Sequence, residues 1–375
     1  MFTSPIQLYG PTTVPKPTLA PLQINQHPLA PLSPIQTLLP SPPATPQPKI
    51  ELTTSAKHLM HHALHPDFVA KYSLGEELGS GGFGFVLSAR TRETGMEVAV
   101  KFIFREKVPY HAWVRTAEGV LPMEIYVLKH VNHPSIIGFL DNYQDDRFCY
   151  LVMELHGTQW GATNGLRSPA LSQTLSEDSW TTDDEYTPPP PSFGRRRTSC
   201  DLFECIERHH NFDEPMAKKI FRQIVECVAH LDTLGICHRD IKDENIVIDD
   251  QYKVKLIDFG SSVILPRHYG QPNKTYLFEK FYGTISFASP EILMGKLYRA
   301  EQAEIWSLGV LLYTILFGEV PFADPRAAVA GQFVPPRIRV SSKCMHLITC
   351  LLERNPDHRL DIHQILMHPW FHEDC

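Results

Sequence analysis

The run Gly79-Ser80-Gly81-Gly82-Phe83-Gly84-Phe85-Val86 constrains this 375-residue chain more than any other. Glycines permit positive φ and let backbone N–H groups approach phosphate oxygens, but the same spacing serves dinucleotide folds, where the glycines open a helix. Here Phe85-Val86-Leu87-Ser88-Ala89 runs on as a strand and returns through Thr94-Gly95 into Glu97-Val98-Ala99-Val100-Lys101. The glycines therefore sit in a β-hairpin, which excludes a nicotinamide-dependent oxidoreductase. Lys101 closes a V-A-V-K run within the apolar stretch Val98 to Phe104, where its ammonium can reach the α- and β-phosphates of a nucleotide. A lysine in an apolar site needs a counter-charge, and Glu124, on a helix expected near Met123 to Val131, is its predicted ion-pair partner.

Farther on stands Cys237-His238-Arg239-Asp240-Ile241-Lys242-Asp243-Glu244-Asn245, and thirteen positions later Asp258-Phe259-Gly260. Phosphoryl transfer needs an acceptor for the hydroxyl proton, oxygen ligands for magnesium and a cation near the transferred group. Asp240, Asn245 with Asp258, and Lys242 meet these needs in turn. The order and intervals of these motifs match the known protein-kinase signature.

From about Tyr72 to Phe371, apart from an insertion, the sequence resembles a eukaryotic serine/threonine protein kinase. Within that superfamily it resembles the calmodulin-dependent kinase group. The runs Asp201-Leu202-Phe203, His238 to Asn245 and Gly283-Thr284 are most similar to PAS-domain-regulated kinases. The resemblance implies a bilobal α+β fold, ATP and Mg2+ as cofactors, and transfer of the γ-phosphoryl group to protein hydroxyls. It also implies nucleotide contacts from Leu78, Gly79, Ser80, Gly81, Gly82, Phe83, Gly84, Val86, Ala99 and Lys101, a gatekeeper at Met153, a hinge at Glu154 and Leu155, and Asp201 near the ribose. Glu291 is expected to pair with Arg359. Lys242 and Thr284 resemble serine/threonine rather than tyrosine kinases.

Three departures from the family pattern stand out. Glu304 replaces the aspartate that braces the catalytic loop, and Ser289 replaces the alanine before Pro290-Glu291. The stretch before Tyr72 is too short and proline-rich for a PAS sensor, and no calmodulin-binding or autoinhibitory extension is expected after Trp370.

Residues 1–65 read as a disordered, proline-rich tail with Ser-Pro, Thr-Pro and PxxP spacings suited to a docking partner. Within it, His58, His61, His62 and His65 lack a carboxylate or cysteine to complete a metal site and read as solvated. The expected kinase domain covers 72–372: a small β-rich lobe with one helix over 72–155, a low-complexity insertion over 157–200, and a mainly helical lobe over 201–372. Long amphipathic patterns mark Met216 to Leu231 and Ala303 to Phe317 as helices.

The net charge of -7 argues against nucleic acid as a partner. The longest apolar stretch, around Leu308 to Phe317, falls short of the ~20 residues that span a membrane, so no membrane association is expected. Eight irregularly spaced cysteines read as reduced thiols of a cytoplasmic or nuclear protein.

Asp201, Glu204, Glu207, Glu244 and Glu319 predict substrates with arginine upstream of the accepted hydroxyl. Arg195-Arg196-Arg197-Thr198-Ser199 in the insertion fits the same preference as an autophosphorylation site. Lys280, four positions before Thr284, leaves no phosphate acceptor where many relatives carry one, and Glu279 is the expected partner of Arg239. The rival reading is a pseudokinase scaffold, which would typically lose the lysine, the base or the metal ligand; Lys101, Asp240, Asn245 and Asp258 all stand.

Overall fold

A computed structural model describes residues 52–117, 119–158, 200–265, 275–334 and 336–372. The first lobe is a five-stranded antiparallel sheet in the order β1-β2-β3-β7-β6, with β1 Tyr72–Gly81, β2 Gly84–Thr91, β3 Glu97–Phe104, β6 Phe139–Gln144 and β7 Phe148–Glu154. Side chains alternate between faces with period two. Phe85, Leu87, Val98, Val100, Phe102, Phe104, Phe148 and Tyr150 share one buried aromatic cluster. Ala99 and Ile103 belong to the opposite face, packed with Leu151, Met153 and the single long helix of this lobe, α3 Met123–His130. Lys101 lies between them in sequence, so the pleat carries it to that same cleft-facing side.

The aromatic face is covered by two short helices, α1 Thr54–Leu59 and α2 Pro66–Lys71. This corrects the expectation that the tail extends to residue 65 and that His58, His62 and His65 are solvated; His61 is exposed, as expected. Thr53 caps α1 by accepting from Ala56 N, and the buried Glu77 carboxylate accepts from Ser55 N at 2.7 Å. His58 packs on Phe85 and Phe104, His62 Nε2 lies 2.7 Å from Asp145 Oδ2, and His65 packs on Tyr143. Phe68 is fully buried against Tyr72, Phe102, Tyr143 and Tyr150. The physical reason is burial: a sheet face this rich in rings must be withdrawn from water, and the chain just before β1 does it. Helices of six residues are too short to announce themselves by periodicity. A second unanticipated element, the hairpin of β4 Trp113–Thr116 and β5 Gly119–Pro122, joins β3 to α3.

The second lobe is built on α4 Leu202–His209, α5 Glu214–Thr233 and α7 Ala300–Phe317, followed by α8 Pro325–Ala330, α9 Ser342–Leu351, α10 Ile362–Leu366 and α11 Pro369–His372. Both long helices contain the stretches expected from sequence. α5 starts at Asp213, whose carboxylate accepts from Met216 N. α7 is buried almost all round and ends at Gly318 in the left-handed region, φ 71°. A Cβ there would stand 1.9 Å from the His210 carbonyl oxygen, so only glycine can close this helix.

Two small antiparallel pairs complete the lobe: β8 Ile236–Cys237 with β11 Val263–Ile264, and β9 Ile246–Ile248 with β10 Val254–Leu256. A four-residue helix, α6 Pro290–Leu293, carries Glu291, whose two oxygens take Nη1 and Nη2 of buried Arg359 at 3.0 and 3.2 Å, as expected. The fold is thus the α+β, two-lobed protein kinase fold. Among the described residues the cysteines are free thiols, and no helix is long and apolar enough to cross a membrane. The proline-rich stretch of residues 1–51 and the insertion over 159–199 lie outside the described residues.

Candidate active site

The two motif groups, more than a hundred residues apart in sequence, meet in one cleft. Lys101 Nζ stands 2.7 Å from Glu124 Oε1 and 2.9 Å from Asp258 Oδ1. Burial opposes the lysine charge, but the two carboxylates outweigh it and raise the ammonium above its ordinary value. Burial, with the Asp258 charge beside it, pushes the Glu124 carboxyl upward, and Lys101 at 2.7 Å offsets part of that rise. Asp258 is half exposed to the open cleft; desolvation there opposes its charge, yet Lys101 holds its carboxyl below the usual range. Asp258 adopts φ 63°, ψ 71°, and its Oδ1 accepts from Gly260 N, which turns the carboxylate toward Lys101.

The catalytic loop is held from beneath by buried groups. His238 is fully buried and packs on Phe259; its Nε2–H donates to the Ile257 carbonyl and its Nδ1 accepts from Asp240 N. Burial holds this imidazole neutral by lowering its pKa. Glu304 on α7 does make the bracing bonds, its Oε1 accepting from His238 N at 2.5 Å and Arg239 N at 3.0 Å. The extra methylene relative to aspartate is accommodated, although burial pushes the Glu304 carboxyl up to about 7.

Asp240 is oriented on both oxygens. Oδ1 accepts from Thr284 N and Oγ1, each at 2.9 Å, and Oδ2 accepts from Asn245 Nδ2 at 2.9 Å. Lys242 Nζ lies 3.9 Å from Asp240 Oδ2 and 2.5 Å from Glu244 Oε2. The Asn245 amide also donates to the Asp240 carbonyl, so its amide nitrogen is engaged and its oxygen remains as an acceptor. With the Asp258 carboxylate it offers the hard oxygen donors that Mg2+ takes.

Arg239 does not face Glu279. Its Nε donates to the Ser261 carbonyl at 2.6 Å, and its guanidinium lies over Phe278 and Tyr282, 5.4 and 5.2 Å from their centroids. Rings can hold a guanidinium by cation–π attraction, so no carboxylate is needed there.

Beside this chemistry lies a cavity of about 230 Å3 lined by Leu78, Gly79, Val86, Ala99, Met153, Glu154, Leu155 and Asp201 from the expected set. Ile137, His156, Cys200, Val247 and Ile257 also line it; nothing but their apolar or neutral character marked them in sequence. The Glu154 carboxylate is engaged by Gly138 N and Lys255 Nζ, and its own N–H donates to the Gly138 carbonyl at 2.9 Å. Asp201 caps α4 by accepting from Glu204 N. Phe83 lines an adjoining cavity of about 160 Å3 with Lys101, Glu124, Asp240 and Asp258. In the hairpin turn Gly81 pairs with Gly84, and Ser80 Oγ accepts from Thr54 on α1. A Cβ on Gly79, Gly81 or Gly82 would meet no protein atom within 4 Å, so the fold itself does not demand those glycines. Space of this kind suits the close approach of phosphate oxygens to backbone N–H groups.

Comparison with known proteins agrees with this geometry. The protein kinase domain model matches residues 72–177 and 196–371. The chain is 38% identical over 309 residues to a PAS domain-containing serine/threonine-protein kinase of Mus musculus, covering 82% of this chain and 19% of that protein. It is 32% identical over 305 residues to the serine/threonine-protein kinase PSK2 of Saccharomyces cerevisiae, covering 80% and 23%. With the serine/threonine-protein kinase pim-2 of Danio rerio the identity is 30% over 317 residues, covering 82% and 86%. The chain spans about a fifth of the length of the first two relatives. On the family match and the assembled cleft together, the chain belongs to the protein kinase domain family.

Proposed function

We propose that this chain is an active, ATP- and Mg2+-dependent serine/threonine kinase whose substrates carry arginine upstream of the accepted hydroxyl. The observation that carries the catalytic part is Asp240, held by Thr284 and Asn245 within the same cleft as the Lys101–Glu124–Asp258 triad. Asp240 accepts the proton of the incoming hydroxyl, Lys242 stabilises the transferring group, and Lys101 orients the α- and β-phosphates. Bound Mg2+, held by Asn245 and Asp258, would neutralise charge on the phosphates. A pseudokinase would have lost part of this set.

The basophilic part rests on the acidic groups of α4. Asp201 is partly engaged as a cap and Glu244 is paired with Lys242, so Glu204, Glu207 and Glu319 carry most of the preference. One arginine, three positions upstream, is favoured over a pair, and Arg195 to Ser199 of the insertion then makes Thr198 or Ser199 an autophosphorylation site. The similarity to PAS-domain-regulated kinases supports a place in the calmodulin-dependent kinase group, and the PxxP spacings of the tail support a docking partner.

The test is ATP turnover on a positional peptide library. Turnover that requires Mg2+ and rises with upstream arginine is expected. No turnover would overturn the catalytic reading; turnover indifferent to arginine at every upstream position would overturn the basophilic one alone.

A further inference from the structure

Away from the cleft, the first half of α5 and the turn between β9 and β10 enclose an open groove of about 590 Å3. Lys218, Lys219, Arg222 and Lys253 line it. Lys219 gives one N–H to the Gln251 carbonyl at 2.9 Å and keeps two. Lys253 is exposed, and Lys218 reaches over the Trp370 ring. Arg222 is the least available, donating to the Phe371 carbonyl and standing 3.9 Å from Glu226. The turn also carries two carboxylates: Asp249 accepts from Gln251 N and Lys253 N and so shapes the loop that presents Lys253, and Asp250 beside it is exposed. The groove is a concave cationic surface with no part in the nucleotide site.

The residues that flank 159–199 are fastened to β9 and to the turn after it, and that turn lines one side of this groove. Thr158 N donates to the Ile248 carbonyl at 3.0 Å, and Thr158 Oγ1 accepts from Asp250 N at 3.0 Å. At the other end the Cys200 carbonyl accepts from Ile248 N at 3.0 Å. Between these anchors the sequence places Glu177, Asp178, Asp183, Asp184 and Glu185 within nine residues. Eighteen residues separate Thr158 from Glu177 and fourteen separate Glu185 from Cys200. At about 3.3 Å per residue, spans of roughly 60 and 50 Å are available, so the tether does not prevent contact.

We propose that the groove is a docking site for acidic peptide and that its resident occupant is this chain's own segment 177–185. The argument is charge complementarity plus the place where the segment leaves and rejoins the fold. Single exposed ion pairs are weak, and salt weakens them further. A tether changes that, because it holds the acidic run at an effective concentration on the order of millimolar beside its site. Ser176, Ser179, Thr181 and Thr182 flank the carboxylates, and a phosphate on any of them would add about -1.5 to -2 charges and tighten the docking. The proposal does not depend on phosphoryl transfer.

Zero-length carbodiimide crosslinking of the full chain, with isotope-mixed protein to separate contacts within a chain from contacts between chains, reads the docking directly. Crosslinks within one chain from residues 177–185 to Lys219 or Lys253 are expected, falling roughly tenfold in ~1 M salt, where the Debye length is about 3 Å. Crosslinks to Lys253 should fall in Lys219→Glu, and those to Lys219 in Lys253→Glu, surface variants that each keep one reporting amine and whose Tm and kinase activity report that they are folded. A labelled peptide of residues 174–188 should bind a full chain whose five carboxylates are changed to amides, and bind the unaltered chain roughly tenfold less, because the site is already filled. Crosslinks only to other lysines or only between chains would overturn the proposal. Equal peptide binding to both proteins, or to neither, would overturn it as well.

Discussion

Replacing Glu304 with glutamine should remove a pH dependence of stability that this single buried carboxyl creates. Glu304 is 5% exposed, and its carboxyl titrates at about 7 in the folded chain against an ordinary 4.5. Burial is the main cause; the bonds from Arg239 N, His238 N and Cys237 oppose it, and Glu301 adds to it. Between those two pH values the folded protein binds the proton that the unfolded chain has released. Stability from this group is therefore full below about pH 4.5, falls as pH rises through 7, and is level above that. At about 1.4 kcal/mol per pH unit the whole fall is about 3 kcal/mol, of which about 2.5 kcal/mol lies between pH 5 and 8.

Glu304→Gln keeps an oxygen to accept from His238 N and Arg239 N and has no proton to lose. Urea unfolding of both proteins at pH 5, 6, 7 and 8 should show the variant gaining steadily on the wild type, by about 2–3 kcal/mol over the range. Other displaced carboxyls, Glu124 and Asp243, cancel because both proteins contain them. Curves that stay parallel within about 1 kcal/mol would refute the reasoning, since one pH unit of displacement already exceeds that. Glu304→Ala should instead destabilise at every pH, by about 1–3 kcal/mol for each backbone N–H it leaves buried and unmet.

Further outcomes follow from the cleft and the sheet. Asp240→Asn should lower kcat by about 10²–10⁴ through loss of the base, and Lys101→Met by about 10²–10³, with the fold intact by circular dichroism; near-normal turnover in Asp240→Asn would remove the base assignment. Asp258→Ala should raise the ATP and Mg2+ concentrations needed for turnover more than either. Phosphatase-treated protein should keep its activity, because Arg239 is already held by Ser261, Phe278 and Tyr282, and Lys280 offers no hydroxyl. Activity lost on that treatment and regained only by phosphorylation between Gly260 and Gly283 would contradict it. Phe68→Ala should cost about 3–5 kcal/mol in urea unfolding, the range for a fully buried ring, although it sits outside the expected domain; a loss under ~1 kcal/mol would mean α2 does not seal the sheet.

Legibility in the sequence followed how local each interaction is. The hairpin context of Gly79 to Gly84 lies within a few residues, where local chain geometry shows it, and the grouping of Asp240, Lys242 and Asn245 was legible through its match to the protein-kinase signature. Helix α5 also announced itself by its amphipathic pattern, whereas α7 is helical where expected but, buried almost all round, lacks the polar face that the expectation gave it. Even the Lys101–Glu124 and Glu291–Arg359 pairs were anticipated, the first from the cost of an unpaired buried charge and the second from family resemblance.

What only the tertiary structure decided depends on surfaces that meet from distant parts of the chain. Nothing local in His58, His62, His65 or Phe68 shows that they seal an aromatic sheet face, since that face exists only once β2, β3 and β7 have paired. Arg239 turned from Glu279 to a pair of rings because Phe278 and Tyr282 are brought over it by the returning segment. Glu304 is the sharpest case. Its identity suggested a mismatch one methylene long, and only the packing of α7 against the catalytic loop showed that the bonds are kept and the difference is expressed in the energy of the buried charge.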